Sequence, residues 1–366
     1  LPAALAAWER VAAQRNAGGD PAAEARTRRR AAVVERQVDA FTVRRACDEY
    51  LSSYGRLVAP KTYAEAARLL SLELGDLASR PAASITRADA FGLIDGMRDR
   101  PVLAIRVRQL LGAIWDRALD AGQLAADVPN WWRLILRGQI KSRGAVVRGV
   151  HRGVAKRVLS EAELRVLLPW LPNFTADIED ALTLYLWTCC RGGEIVSMDR
   201  DEISEEADGL WWTIPRARLK MRRNPATVDL RVPLTGRAEA IVRRRLGATE
   251  SRYLWPSVGR DPHVDQGVLS SAVWMRMPAC TLRPDYVRAR LPVADWTPHD
   301  LRRTGRTLLA SLGCPAEIAE AILGHLPPGI QSVYNLHSYD AERRAWLTRL
   351  AQHLETLAAP ARAEVR

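Results

Sequence analysis

A chain of 366 residues, 48% of them hydrophobic, is long enough for two buried cores plus tails, given ~100–200 residues per domain. Its 54 Lys and Arg outweigh 42 Asp and Glu, and the net charge of +12 draws polyanions: nucleic acid first, an anionic membrane surface second. No run reaches the ~18 apolar residues of a spanning helix, and no signal-peptide pattern opens the chain, so a soluble, cytosolic protein without membrane partners is expected. Cys47, Cys189, Cys190, Cys280 and Cys314 are odd in number, scattered, and far from metal-ligand spacing, which predicts reduced, mostly buried thiols and no metal site. The first residue is Leu1 rather than Met, which leaves residues ahead of it outside this reading.

Residues 1–38 are rich in Ala, Arg and Glu and broken by Gly18, Gly19 and Pro21. They are expected to be a helical arm or the remnant of a preceding domain, either solvated or touching nucleic acid through Arg26, Arg28, Arg29 and Arg30. Residues 39–136 carry four apolar stripes at helical spacing: Val43 to Leu51, Tyr63 to Leu70, Phe91 to Met97 and Val107 to Leu119. Thr86 followed by Asp89 caps the third of these helices. A compact four-helix unit is predicted.

Residues 137–157 hold seven Lys or Arg, four Gly and neither Asp nor Glu. Such a basic linker is either flexible or laid along phosphates, and Lys141, Arg143, Arg148, Arg152, Lys156 and Arg157 are its candidate DNA contacts. The second domain, 158–358, opens on a Ser160/Glu163 capping box, and a helix runs from Ile178 to Thr188. Two strands are predicted, at 210–214 and 227–232, with Arg222-Arg223-Asn224-Pro225 as the hairpin turn. The remainder is helical again, through 301–312, 315–323 and 339–357, and a short tail covers 359–366. The fold class is therefore mainly α with one small antiparallel β-sheet.

Four segments of this domain carry candidate chemistry. In Thr188-Cys189-Cys190-Arg191-Gly192-Gly193-Glu194 an Arg emerges where an apolar helix stops. In Thr297-Pro298-His299-Asp300-Leu301-Arg302 a His and an Arg, three apart, share the first turn of a helix, where free N–H groups favour an anion. Gly324-His325 and Ser332-Val333-Tyr334 follow, the Tyr nine residues beyond the His. Each segment alone has a bland reading as packing or surface. Their order and spacing carry the weight.

That series, Arg191, His299-x-x-Arg302, Gly324-His325 and Tyr334, resembles the catalytic set of the tyrosine recombinase or phage integrase family, over residues 40–357. Lys220 falls where that family keeps its lysine. The resemblance implies a helical core-binding domain at 39–136, an interdomain connector at 137–157 and a mixed α/β catalytic domain at 158–358. It implies a site-specific recombinase that cleaves and rejoins DNA through a 3′-phosphotyrosyl bond to Tyr334, Arg191 and Arg302 gripping the phosphate, His299 and His325 donating to it and moving protons, and Lys220 acting as general acid. Planar guanidinium forks suit non-bridging oxygens, and a phenol needs neighbouring cations to attack at neutral pH. Because the ester keeps the phosphodiester energy, neither ATP, metal nor other cofactor is implied. The implied partners are double-stranded attachment sites, sister copies forming a tetramer on paired sites, and accessory DNA-bending or directionality factors, in a nucleoid-associated cytoplasmic setting. The competing readings are a type IB topoisomerase-like enzyme and a non-catalytic DNA-binding relative.

Overall fold

The computed structural model describes residues 41–140, 145–147, 150–152, 157–220, 222–224, 226–259, 262–285, 287–325 and 337–359, with scattered positions among the first 26. The chain divides into two compact units, Leu1–Ala155 and Lys156–Arg366. Among the described residues no helix is long and apolar enough to cross a membrane.

In the first unit, α1 (Val43–Leu57), α2 (Pro60–Glu73), α3 (Arg87–Asp95), α4 (Pro101–Asp120) and the single turn α5 (Trp131–Leu134) enclose one core. The Thr86 hydroxyl accepts from the Asp89 amide at 3.2 Å while the Asp89 carboxylate accepts from the Thr86 amide at 2.8 Å, so the predicted cap starts α3. Arg80 closes on the same carboxylate at 2.7 Å and, with the cap, holds Asp89 well below the usual carboxylate range. Trp115 of α4 meets Trp132 of α5 edge to face at 5.5 Å, and both rings are fully buried. Phe91, expected in the apolar stripe of α3, is exposed instead; Ala90 and Ile94 make the inward face.

Within the predicted basic linker lie two short antiparallel strands, β1 (Ala145–Val147) and β2 (Val150–Arg152). A connector that the sequence reads as irregular thus contains a backbone-paired ribbon. Its glycines and cations hid the pattern, because strand pairing needs only main-chain donors and acceptors.

The second unit is built around α7 (Ala176–Thr188), which is buried on every side from Asp180 to Thr188. A helix apolar all round must be surrounded, and α7 touches α8 (Gly192–Val196), α9 (Arg237–Ala248), α10 (Gln266–Arg276), α11 (Pro298–Ser311) and α13 (Asp340–Ala358). Truncating Leu182 or Leu186 to Ala here costs roughly 2–5 kcal/mol. The one buried acid of α7, Asp180, pairs with Arg245 of α9 at 2.7 Å, and Arg245 also donates to the Leu254 and Ala176 carbonyls, so neither charge is left bare.

The sheet has three strands, β3 (Ile203–Glu206), β4 (Gly209–Ile214) and β5 (Leu230–Pro233), antiparallel in that order. Sequence reasoning found β4 and β5 and missed β3, whose Ser204, Glu205 and Glu206 read as a polar loop. The link from β4 to β5 is not a tight hairpin: it spans 215–229, holds a 3₁₀ turn at Arg216–Arg218, and turns at Asn224, whose side chain accepts from the Ala226 amide at 3.0 Å. Two guanidinium groups stack on Trp211 of β4, Arg231 at 4.4 Å and Arg344 at 4.5 Å. Arg231 pairs with Asp340, and Arg343 donates to the Arg231 carbonyl at 3.0 Å, so the start of α13 is fastened to β5. The capped helix α6 (Glu161–Trp170) packs against the same α13.

Candidate active site

Arg191 stands where α7 gives way to α8. Cys189 ends α7 in the left-handed region, at φ 54°, a place usually taken by Gly. The chain then turns so that Arg191 caps α8 and its amide donates to Glu194 at 2.8 Å, while Nη1 donates to the other oxygen of that carboxylate at 2.9 Å. Glu194 is buried, so the pair fixes the direction of the guanidinium. Under this turn lies Tyr185, fully buried, its hydroxyl accepting from Gln266 at 3.3 Å. A Cβ on Gly192 would fall 1.7 Å from that hydroxyl, so only glycine fits. Burial pushes the Tyr185 phenol up to about 12, which keeps it neutral.

Thr297 and Asp300 cap α11, with the Thr297 amide donating to Asp300 at 2.9 Å. This sets His299 at an exposed corner of the first turn and Arg302 inside, 3% exposed. The fork of Arg302 donates to the Cys189 carbonyl and, at 2.8 Å, to the Leu323 carbonyl. It thereby joins the end of α7 to the end of α12 (Ala316–Ile322). Its Nη2 also lies 3.3 Å from His325 Nε2. An arginine can only donate, so Nε2 accepts, and the ring proton sits on Nδ1, which donates to Glu320 at 2.6 Å. Gly324, at φ 62°, allows the reversal that places His325 there.

These groups feel one another. Partial burial, followed by the charges of Arg303, Arg302 and Arg191, lowers the pKa of His299, although much of its ring meets solvent. Burial and then Arg191 lower that of Arg302. The structure therefore gathers Arg191, His299, Arg302 and His325 into a cationic cluster that a phosphoryl group would stabilise.

Lys220 is exposed on the β4–β5 link and makes no hydrogen bond or ion pair with those four. Its loop is nonetheless tied to α8, because Arg218 donates to the Glu194 carbonyl at 3.0 Å and to Ser197 Oγ at 2.6 Å while pairing with Glu202. Tyr334 lies outside the described residues, as do Lys141, Arg143, Arg148 and Lys156. Arg152 closes β2, and Arg157 is paired with Glu163 of the α6 cap, so its charge is engaged within the protein. Sequence reasoning passed over Glu194, Arg218 and Glu320. Glu194 had a signal, an acid three residues after an N-cap; the other two depend on contacts between separate elements.

The model of the phage integrase family matches residues 157–341. The chain belongs to the phage integrase family. It is a tyrosine recombinase, an enzyme of site-specific DNA recombination, and the matched span contains Arg191, Lys220, His299, Arg302, His325 and Tyr334. Among solved structures, this integrase is similar to the Tn1549 transposon integrase in complex with circular intermediate DNA, at 17% identity and a TM-score of 0.55, over 83% of this chain and 98% of that one. It is also similar to a lambda integrase dimer bound to a COC′ core site, at 16% identity and a TM-score of 0.55, over 78% of this chain and 95% of that one. A lambda integrase tetramer bound to a Holliday junction matches at 14% identity and a TM-score of 0.55, over 81% and 77%. At these identities the likeness is one of fold. No curated protein matches.

Proposed function

We propose that this recombinase cleaves one DNA strand by attack of Tyr334 on a phosphodiester held by Arg191 and Arg302, with His299 and His325 beside it. The Tyr334 oxygen bonds to phosphorus, the bond to the 5′-oxygen breaks, and Lys220 supplies the proton that oxygen needs. His299, kept neutral by its surroundings, accepts the phenol proton. The reverse reaction, with the 5′-hydroxyl of a second duplex as nucleophile, completes the exchange without a cofactor. The observation that carries this reading is the meeting of Arg302, His325 and the Arg191 turn, segments separated by more than a hundred residues of chain at their extremes.

The partners on this reading are double-stranded attachment sites and further copies of the chain, assembled as a tetramer on paired sites. The DNA complexes and the tetramer among the structural relatives support it. The helical unit at 39–136 and the basic stretch 137–157 supply further DNA contacts, in the cytoplasmic nucleoid.

A nicked duplex that traps the ester tests the reading, using sequences selected by the protein from a randomised pool. Wild type should run as a covalent protein–DNA band, and Arg191→Ala and Arg302→Ala should not. A band of normal intensity from both variants would refute the site.

A further inference from the structure

Glu320 occupies a place that the recombination chemistry so far leaves unused. It sits in the last turns of α12, and the reversal at Gly324 brings His325 back over it: the His325 amide donates to the Glu320 carbonyl at 3.0 Å, and the ring Nδ1 meets the Glu320 carboxylate at 2.6 Å. The carboxylate also accepts from Arg306 Nε at 3.0 Å. Arg306 stands one helical turn beyond Arg302 on α11, so the two arginines share a face. Arg302 faces one nitrogen of the imidazole, and Arg306 holds the carboxylate on the other nitrogen. The Glu320–His325 pair is thus clasped between them.

Both members are nearly half exposed. An ion pair at such a surface contributes little to stability, about 0–1 kcal/mol. Orientation is a different matter. A neutral imidazole has two tautomers, and the partner on one nitrogen decides which of them faces the reacting group. Burial acts to raise the Glu320 pKa, but the hydrogen bonds from His325 and Arg306 outweigh it and keep the carboxylate ionised as an acceptor.

We propose that Glu320 is a positioning residue for strand cleavage, holding the His325 proton on Nδ1 and turning the Nε2 lone pair to the Arg302 guanidinium that grips the phosphate. The proposal rests on the reading that His325 belongs to the cleavage site. Arg306 supports it from behind by fixing the carboxylate. Removing the carboxylate frees the ring to rotate and to exchange tautomers while the fold and the DNA grip persist. The expected loss is of order 10–100-fold, as for other groups that orient an imidazole from its far nitrogen.

The test is single-turnover formation of covalent adduct on the selected nicked duplexes, with duplex affinity measured alongside. Glu320→Ala should slow adduct formation 10–100-fold with little change in affinity, and Glu320→Gln, whose amide oxygen still accepts from Nδ1, should restore most of the rate. In a His325→Ala background, Glu320→Ala should have no further effect, because it acts through that ring. Nitrogen-15 spectra of the ring should place the proton on Nδ1 in wild type and show a mixture in Glu320→Ala. A wild-type rate in Glu320→Ala, or losses that multiply with those of His325→Ala, would overturn the proposal and leave the cleavage reading intact. A wild-type chain that forms no adduct on any duplex would remove the cleavage reading, and the positioning role with it.

Discussion

The Arg302 guanidinium donates to the Leu323 carbonyl at 2.8 Å, a contact between residues 21 apart in sequence and both buried. The same fork reaches the Cys189 carbonyl, so one side chain fastens three segments.

Substitution at Arg302 should therefore injure the fold as well as the chemistry. Arg302→Ala leaves two buried carbonyls without their donor, at about 1–3 kcal/mol each, besides a cavity. Arg302→Lys keeps the charge but cannot hold both carbonyls, and it should recover little. Thermal melting and adduct formation, measured together, should both fall. A variant that melts like wild type yet cannot cleave would show that the fork serves only the phosphate.

Gly192→Ala should be more damaging than its single methyl suggests. The methyl would fall on the hydroxyl of the buried Tyr185 ring, which has no free space to move into, so α8 must shift and carry Arg191 with it. We expect loss of ~1–3 kcal/mol of stability and of most cleavage, read by melting and by the covalent band. An active, fully stable Gly192→Ala would mean that the Arg191 turn tolerates displacement.

The lowered pKa of His299 gives a pH signature. Below the ordinary histidine value of ~6.5 the unfolded chain binds a proton that the folded chain still refuses, so this group removes stability as pH falls through that range. A phosphate beside the ring favours its charged form, and duplex binding should take up a proton as the pH falls through the histidine range. His299→Gln should flatten both effects. If melting and duplex affinity followed pH identically in the variant and wild type, His299 would not face the phosphate.

Cys47, Cys189 and Cys190 have thiols pushed up to about 12 by burial. A thiol held neutral and out of solvent does not react. Mass spectrometry after maleimide treatment at neutral pH should find all three unmodified in the native chain and modified after denaturation. Rapid native labelling of Cys189 or Cys190 would contradict the packing beneath Arg191.

What the sequence made legible was local. The Thr86/Asp89 and Ser160/Glu163 boxes lie within four residues, and both cap the helices expected of them. The apolar stripes of α1 and α4 likewise point inward. Strand β3 escaped because its register against Trp212 and Trp211 is held by backbone, with acids facing out. In the site, spacing marked Arg302 and His325, but their joint attachment to Cys189, Leu323 and Glu320 was invisible. A contact across 113 residues leaves no periodicity to read. Cys189 also hid the turn it makes, since a left-handed helix end normally advertises itself with glycine.

On the proposed mechanism Tyr334 carries the DNA. Tyr339, five residues on, is the alternative nucleophile, and it forms the N-cap of α13, the helix that Arg231 and Arg343 fasten to β5. Digesting the covalent complex and mapping the phosphotyrosyl peptide by mass spectrometry discriminates between them. The expected result is a nucleotide on Tyr334 and an adduct that survives Tyr339→Phe but vanishes in Tyr334→Phe. A nucleotide on Tyr339, or an adduct that persists in Tyr334→Phe, would contradict it.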